Sequence, residues 1–270
     1  MSAVLLATAL LATAAQTQLA TGAGSASARV AGPVKLELRA YAADLEIVAS
    51  DKLAVTITVE GKPGLRIALL GSGDRIEAQF GGKRQLREGH ARIELPRGSS
   101  VDLSSVSGSV VVRGLGGEAR VRGMSGRVEV SGALQAEVET IDGAVRVVAS
   151  AGPLRVHTIS GAIAIESPTS ALQAEVETSS GAFSYRGPCG RGCRVDVDSV
   201  SGTLSFALDR SSSFALDFDT HSGKLKDLLG LDAGRTEKRG DDQWRELRFG
   251  AGEGAIECET FSGDVSISAH

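Results

Sequence analysis

The chain has few aromatic residues and few prolines, and it lacks the motifs of several enzyme classes. Aromatic residues make up 4% of its 270 residues, and there are 6 prolines and 4 histidines. The histidines are not spaced as zinc ligands usually are. Neither a glycine-rich phosphate loop with a lysine nor a G-x-S-x-G elbow occurs. These absences argue against zinc, phosphoryl-transfer and serine-hydrolase chemistry.

A strong charge imbalance and long apolar segments are also absent. The chain has 29 basic and 33 acidic residues, for a formal net charge of -4. It therefore shows no basic footprint for nucleic acid. Beyond the N-terminal region, no segment is apolar over the roughly 20 residues that a membrane helix needs. We expect no stable membrane span once a signal segment is removed.

The N-terminal segment is typical of an exported protein. The first 28 residues carry no charged side chain, and residues 4–15 form an apolar run rich in Leu and Ala. This resembles a secretory signal peptide, with small-x-small cleavage motifs at residues 12–14 and 26–28. The run is too short for a membrane anchor. We interpret residues 1–28 as a signal peptide and small-residue linker, and we expect a periplasmic or secreted product.

Glycine is abundant, and some of it is periodic. The chain has 34 glycines. Eight of them mark copies of one pattern, spaced 17 to 21 residues apart with a last gap of 40. Two copies still share the octapeptide ALQAEVET, at residues 133–140 and 171–178. A fixed period of this kind predicts units that stack on one another. The anchoring glycines are Gly108, Gly126, Gly143, Gly161, Gly181, Gly202, Gly223 and Gly263.

Each copy predicts two short strands joined by a corner. The residues two and four positions after the glycine are apolar in nearly every copy, as is the residue five positions before it. Polar residues alternate with them, which is typical of strands with one buried face. A serine, or once an aspartate, directly precedes each glycine. We expect these pairs to form turns, because glycine adopts positive φ at little cost.

We therefore predict an all-β fold, a β-solenoid of 17–21-residue coils with Ser-Gly corners, in which each strand pairs with its copies above and below. An antiparallel meander that closes into a sandwich or barrel is the alternative. Within a single predicted domain, residues 29–270, the regular repeats span 101–225 and the final repeat spans 251–270. Residues 29–100 are predicted as irregular N-terminal strands or a cap, and residues 226–250 as an enlarged loop or degenerate coil.

The repeats resemble a known bacterial family. The segments ARIELPRGSSVDLSSVSGSVVVRGL and GAIECETFSGDVSI, with repeated small-Gly-x-Val-x-Val units between them, are similar to the bacterial "putative adhesin" domains of unknown function, related to auto-transporter adhesin-like head domains. The likeness covers residues 34–267. It implies an all-β repeat structure that is often exported and has no agreed catalytic residues. Members often carry membrane helices or regulatory modules, and this chain departs from them in showing an export signal alone.

Acidic residues gather at two outward positions in the second half of the repeats. In the first half, the positions six and four before the glycine mostly alternate between basic and acidic residues, which predicts ion pairs between neighbouring coils. In the second half both positions are acidic. We expect this acidic strip to bind Ca²⁺ or a basic partner, or else to be a solvated face. It consists of Glu175, Glu177, Asp196, Asp198, Asp217, Asp219, Glu257 and Glu259.

The three cysteines differ in their surroundings. Cys189 and Cys193 are separated by three residues of a predicted turn. In an oxidising compartment they are candidates for a local disulfide, and a pair of free thiols is the alternative. Cys258 falls in a column of apolar residues and is predicted to be a small core residue.

These patterns favour a scaffold over an enzyme. We predict an exported, noncatalytic β-repeat module that acts in adhesion or in protein or envelope interaction. Its expected partner is a protein or a cell-envelope polysaccharide, and no cofactor is expected apart from Ca²⁺. The segment around Trp244 is a candidate projecting loop. The alternative is a carbohydrate-active β-helix enzyme that uses carboxylates on one coil face, although no cluster of Lys or Arg stands beside the acids.

Overall fold

The fold is built entirely from β-strands in the described part of the chain. The computed structural model describes residues 17–148, 152–239 and 242–270. These ranges contain 25 strands and no helix, so no helix within them is available to cross a membrane. The prediction of an all-β fold is confirmed.

The strands are short in the repeats and longer near the N-terminus. In chain order they are β1 (Thr17–Ala23), β2 (Ser25–Arg29), β3 (Lys35–Ser50), β4 (Ala54–Glu60), β5 (Arg66–Ser72), β6 (Arg75–Phe80), β7 (Gln85–Pro96), β8 (Ser100–Ser107), β9 (Val110–Arg113), β10 (Glu118–Gly123), β11 (Val128–Ser131), β12 (Gln135–Thr140), β13 (Val145–Val148), β14 (Leu154–Thr158), β15 (Ile163–Glu166), β16 (Gln173–Thr178), β17 (Phe183–Gly187), β18 (Arg194–Ser199), β19 (Leu204–Leu208), β20 (Phe214–Thr220), β21 (Leu225–Asp227), β22 (Asp232–Arg239), β23 (Asp242–Phe249), β24 (Gly254–Thr260) and β25 (Val265–Ala269).

The repeat strands form two ladders of parallel strands. Each strand from β8 to β17 pairs with the strand two places further along the chain. The first ladder runs β8-β10-β12-β14-β16-β18, and the second runs β9-β11-β13-β15-β17-β19. Equivalent residues of successive copies face each other, as Val138 and Val156 do. Because no register shift interrupts these pairs, each column of the repeat becomes a continuous row of side chains.

Alternate residues of both ladders fill one hydrophobic core. In β12 and β14 the inward residues are almost fully buried, with Val138 at 0% and Val156 at 2% exposure. Burying a side chain of this size stabilises a fold by about 1.5–3 kcal/mol. Towards the C-terminal end the rows become aromatic, and the rings of Phe183 and Phe206 pack 5.4 Å apart. The period of two in the sequence thus produces the core directly.

Hydroxyl groups at two positions of the repeat stabilise most of the corners. In six copies a buried Thr or Ser three positions before the glycine accepts a hydrogen bond from the glycine N–H, at 2.7–3.1 Å. The serine directly before the glycine reaches the neighbouring copy instead, as Ser160 Oγ does in donating to the Ile141 carbonyl at 3.3 Å. Such bonds satisfy backbone groups that the turn removes from the ladders.

The corner glycines are needed mainly because the backbones pack closely there. The sequence had suggested a different reason, namely that glycine adopts positive φ easily. Positive φ occurs at Gly108 (106°) and Gly126 (111°), but not at the other six anchoring glycines. At Gly161, a Cβ would overlap the carbonyl oxygen of Gly143 in the neighbouring copy. The same overlap recurs along the corner. Glycine is therefore required because the backbones of successive copies touch there.

The N-terminal strands extend both ladders, first with parallel pairs and then with antiparallel pairs. The long strand β3 pairs with β8 and β9 on one side and with β6 and β7 on the other. Beyond it, β6 pairs with β5 and β7 pairs with β4, both antiparallel. Strands β1 and β2 complete this region by pairing with β5 and β4. Residues 17–28, predicted as part of a signal peptide and linker, thus lie in strands here, and residues 1–16 lie outside the described ranges.

The last copy in the chain, at Gly263, is not the last copy in the stack. Strand β24 pairs in parallel with β18 on one side and with β20 on the other, and β25 likewise pairs with β19 and β21. The copy at Gly263 therefore lies between the copies at Gly202 and Gly223. Sequence order would instead place the copy at Gly223 directly on the copy at Gly202.

The segment 226–250, predicted as an enlarged loop or degenerate coil, contains an antiparallel hairpin. Strands β22 and β23 pair with each other, and β23 pairs antiparallel with β20. The rings of Phe214 and Phe249 pack 5.9 Å apart at this junction, and Trp244 lies opposite Asp219. The hairpin thus covers the outer edge of β20, which would otherwise be an exposed parallel strand.

Candidate binding surface on the acidic strip

The structure brings the predicted acidic residues together in two adjacent rows. Both rows cross β16, β18, β24 and β20 in that spatial order. Neighbouring residues within a row are about 4.8 Å apart, the spacing between strands. The first row contains Glu175, Asp196, Glu257 and Asp217, and the second contains Glu177, Asp198, Glu259 and Asp219.

The first row is largely compensated by arginines. Arg155 Nε donates to Glu175 at 2.9 Å. Arg194 bridges two members of the row, since its Nε donates to Asp196 at 2.8 Å and its Nη2 donates to Glu257 at 3.0 Å. Sequence reasoning missed Arg194, although its position two residues before Asp196 places it on the same face of β18. The two arginines thus contact three of the four carboxylates, and the row keeps a formal charge of -2.

Asp217 lies at the end of the first row, beside the hairpin. It faces Glu246 of β23. Burial, followed by repulsion from Glu246, raises the pKa of Asp217, while Arg248 opposes the shift. The hairpin thus adds a carboxylate and an arginine to the end of the row, a pairing that the sequence alone did not indicate.

The second row keeps its negative charge. Its only contact with a basic side chain among the described ion pairs is at one end, where His157 Nδ1 lies 2.8 Å from Glu177 Oε2. Burial and then repulsion from Glu177 raise the pKa of Asp198, and burial and then repulsion from Asp198 raise the pKa of Glu259. Carboxylates that raise one another's pKa in this way favour any cation that approaches them.

A groove of about 530 Å³ runs along the second row. Its floor carries buried hydroxyl groups such as those of Thr178 and Thr260, which are each 6% exposed. One wall is apolar and includes Val200 and Phe261. The imidazole of His221 stacks on the Phe261 ring, with centroids 4.7 Å apart and planes 7° apart. The groove therefore combines carboxylates with an exposed apolar wall.

The apolar wall belongs to a longer row that sequence reasoning missed. Two positions before the glycine, several copies carry a large apolar residue that remains exposed, from 44% to 58%. The sequence could have shown this row, because these residues share one position in the repeat. Ser179 interrupts the row between Ile159 and Val200, but exposed apolar residues gathered at one position mark an interaction surface more often than scattered ones do. The row contains Met124, Ile141, Ile159, Val200 and Phe261.

The first half of the repeats shows the predicted alternation of charge. Arg120 Nη2 lies 2.7 Å from Glu137 Oε2, and Arg122 Nη1 lies 3.3 Å from Asp102 Oδ1. Each such exposed pair stabilises the fold by a few tenths of a kcal/mol. Because charges cancel here, the uncompensated surface is confined to the second half, beginning at β16.

The described residues offer no preformed metal centre. Within the described ranges, no group of three or more His, Cys, Asp or Glu side chains is placed to hold a metal ion. The carboxylates of the second row instead extend along a line. Such a line offers successive acceptors for ammonium or guanidinium groups rather than one cage of oxygens.

The structure joins Cys189 and Cys193 in a disulfide. The bridged turn contacts two other copies, because Ser213 N–H donates to the Cys189 carbonyl at 2.8 Å and Ala255 N–H donates to the Cys193 carbonyl at 2.9 Å. Cys258 is buried, and its burial raises the pKa of its thiol. The disulfide therefore lies where the final copy enters the stack.

Comparison with known proteins adds one distant likeness. No protein-family model matches the chain, and no curated protein matches it. Among solved structures, the chain is similar to a putative cell adhesion protein from Clostridium sporogenes, with 11% sequence identity, coverage of 95% of this chain and 100% of that chain, and a TM-score of 0.24.

Proposed function

We propose that the protein is a noncatalytic scaffold that acts in adhesion, through contact with a protein or a cell-envelope polysaccharide. In this proposal the repeats form a β-solenoid. Parallel, in-register pairing of each strand with the strand two places on supports the solenoid, because an antiparallel meander would alternate strand directions. A scaffold of this kind needs no conformational change. It acts through the rows of side chains on its surface.

The second acidic row is the observation that carries the proposal. Four carboxylates lie in line, and only the end residue contacts a basic side chain among the described ion pairs. The exposed apolar side chains of Val200 and Phe261 lie beside them. A protein segment with basic and apolar side chains would relieve the repulsion between the carboxylates and cover the apolar wall. The groove is therefore proposed to bind a basic, partly apolar protein segment.

Export to the periplasm or the cell exterior is part of the proposal. The apolar segment at residues 4–15 supports it, as does a disulfide, which persists in oxidising compartments. Cleavage after residue 14 would leave β1 and β2 intact. Cleavage after residue 28 would remove β1 and most of β2, so we propose the earlier site.

Binding to the groove is tested with a twelve-residue peptide of alternating lysine and valine, labelled for fluorescence anisotropy. We expect the double variant D198N/E259Q to bind it about tenfold more weakly, since the affinity of a polycation depends on the charges that it contacts. The matched control is E129Q/E166Q, which removes the same charge from the other ladder. Equal weakening by both double variants would show attraction to net charge alone and would contradict the proposal.

The enzyme alternative is tested separately. Purified protein is incubated with polygalacturonate and with neutral polysaccharides, and new reducing ends are measured over a day. Release of reducing ends that is lost in D198N/E259Q would replace the scaffold proposal with a carbohydrate-active enzyme. We expect no release above that of a heat-denatured sample.

A further inference from the structure

The N-terminal strands enclose a second cavity, of about 810 Å³, far from the acidic groove. It lies between β3, β7 and the turns around residues 62–65 and 80–83. A volume of this size is within the usual range of small-molecule sites. Its wall contains three basic side chains, one carboxylate and a tyrosine: Lys62, Lys83, Arg87, Glu88 and Tyr41.

Strand register places the tyrosine beside an arginine. Ala40 pairs with Leu86 and Ala42 pairs with Glu88, so Tyr41 lies level with Arg87 on adjacent strands. Tyr41 is 54% exposed. It occupies the same corner position as the exposed apolar residues of the repeats, but here the neighbouring strand supplies a cation. An aromatic surface and a positive charge thus stand next to each other by backbone geometry.

A tight turn fixes the second cation. Gly81 and Gly82 have φ of 58° and 77°, the values that a two-residue hairpin turn requires. Phe80 and Lys83 exchange backbone hydrogen bonds across this turn, at 2.6 and 3.0 Å. The turn therefore holds the backbone of Lys83 in a fixed position on the cavity wall.

The cavity has an excess of positive charge. Lys62 Nζ lies 2.9 Å from Glu88 Oε1, so these two charges offset each other. Among the described ion pairs, neither Lys83 nor Arg87 has a carboxylate within 4.0 Å. The wall thus carries three cations and one carboxylate, an excess of positive charge that favours an anion.

We propose that this cavity binds an acidic oligosaccharide. The apolar face of a sugar ring packs against an exposed aromatic side chain, as the tyrosine here allows. Carboxylate or sulfate groups on the sugar would pair with Lys83 and Arg87. The acidic groove at the other end of the ladder repels a polyanion, which directs it to this end. The inference rests on the proposed adhesive function and adds to it a second surface with its own ligand class.

The test uses tetragalacturonate as the probe and isothermal titration calorimetry as the readout. We expect binding to the full chain, no binding of the neutral sugar maltotetraose, and affinity for tetragalacturonate weakened about tenfold in K83S/R87S. Y41A is expected to weaken binding about fivefold. The matched control is R186S/R210S, which removes two exposed arginines from the C-terminal half. All substituted side chains are exposed, and equal melting temperatures will show that the variants fold.

Each outcome separates this inference from the proposed function. Absence of tetragalacturonate binding would overturn the cavity assignment, and the lysine-valine peptide would still test the groove. Equal weakening by R186S/R210S would show attraction to surface charge alone and would also overturn it. Weakening by K83S/R87S without any effect of Y41A, together with competition by citrate, would identify a simple anion site and overturn the sugar. D198N/E259Q should retain tetragalacturonate binding.

Discussion

Gly263 stacks directly on Gly202, although 61 residues separate them in the chain. A Cβ at Gly263 would overlap the carbonyl oxygen of Gly202. This contact belongs to the final copy, which enters the stack between two copies that are consecutive in sequence. The corner glycines therefore report which copies are neighbours in space.

Substitution G263A is expected to destabilise the protein strongly. The added methyl group would push apart two backbones that both ladders hold at one spacing, and overpacking of this kind costs about 1–3 kcal/mol. Urea unfolding followed by circular dichroism measures the loss. The control is G64A, because a Cβ at Gly64 meets nothing within 4 Å. Equal effects of the two substitutions would refute the close-packing role of the corner.

The buried hydroxyl found at six of the corners gives a second prediction. Thr158 is 1% exposed, and its Oγ1 accepts a hydrogen bond from Gly161 N–H at 3.1 Å. Replacing it with the similarly shaped valine leaves that N–H without its partner, at a cost of about 1–3 kcal/mol. Thermal unfolding of T158V measures the loss. T158S should retain most of the stability, and an equally unstable T158S would show that the methyl group matters instead.

Neutralising the middle of the acidic groove should stabilise the protein at neutral pH. Because the pKa of Asp198 is raised by burial and by Glu177, the folded state binds this proton more tightly than the unfolded state does. The charged form therefore costs stability above the folded pKa. That cost disappears as the pH falls towards the unfolded pKa, which is about 3.9.

We expect D198N to raise the free energy of unfolding at pH 7 by about 0.2–1 kcal/mol, the usual size of a like-charge effect between strands. The gain should fade below about pH 4. Unfolding by urea at several pH values measures it. The comparison variant is E139Q, at the equivalent position of β12, whose carboxylate lies 3.5 Å from Arg122 and which should gain nothing. If D198N still raises the free energy of unfolding at pH 3, the charge of Asp198 is not the cause of the gain.

Removing the disulfide should loosen the junction of three copies. The double variant C189A/C193A is expected to lose about 2 kcal/mol, the value that chain entropy gives for so short a loop. Hydrogen exchange should quicken at Ser213 and Ala255, whose N–H groups bond to the two cysteine carbonyls. A reductant should lower the melting temperature of the original protein but not of the variant. A reductant effect of equal size in both would exclude the disulfide as its cause.

Much of the repeat region follows from local pattern. Buried positions such as Val138 and Val156 are readable from their alternation with polar residues, and their pairing follows because equal periods place equal residues side by side. The acidic rows were readable for the same reason. Their partners were not, because Arg194 reaches Glu257 and Glu246 faces Asp217 across strands that are distant in sequence. The N-terminal cavity likewise depends on how β3 and β7 align.

The sequence by itself determined the all-β class, the inward columns and the placement of the corners, because these depend on periods of two and of 17 to 21 residues. Only the tertiary structure decided the order of the last copies. Copies with the same columns offer nearly equal partners, so local pattern cannot rank them. The choice rests on nonlocal contacts: the hairpin that covers β20, and the disulfide turn that bonds to both Ser213 and Ala255.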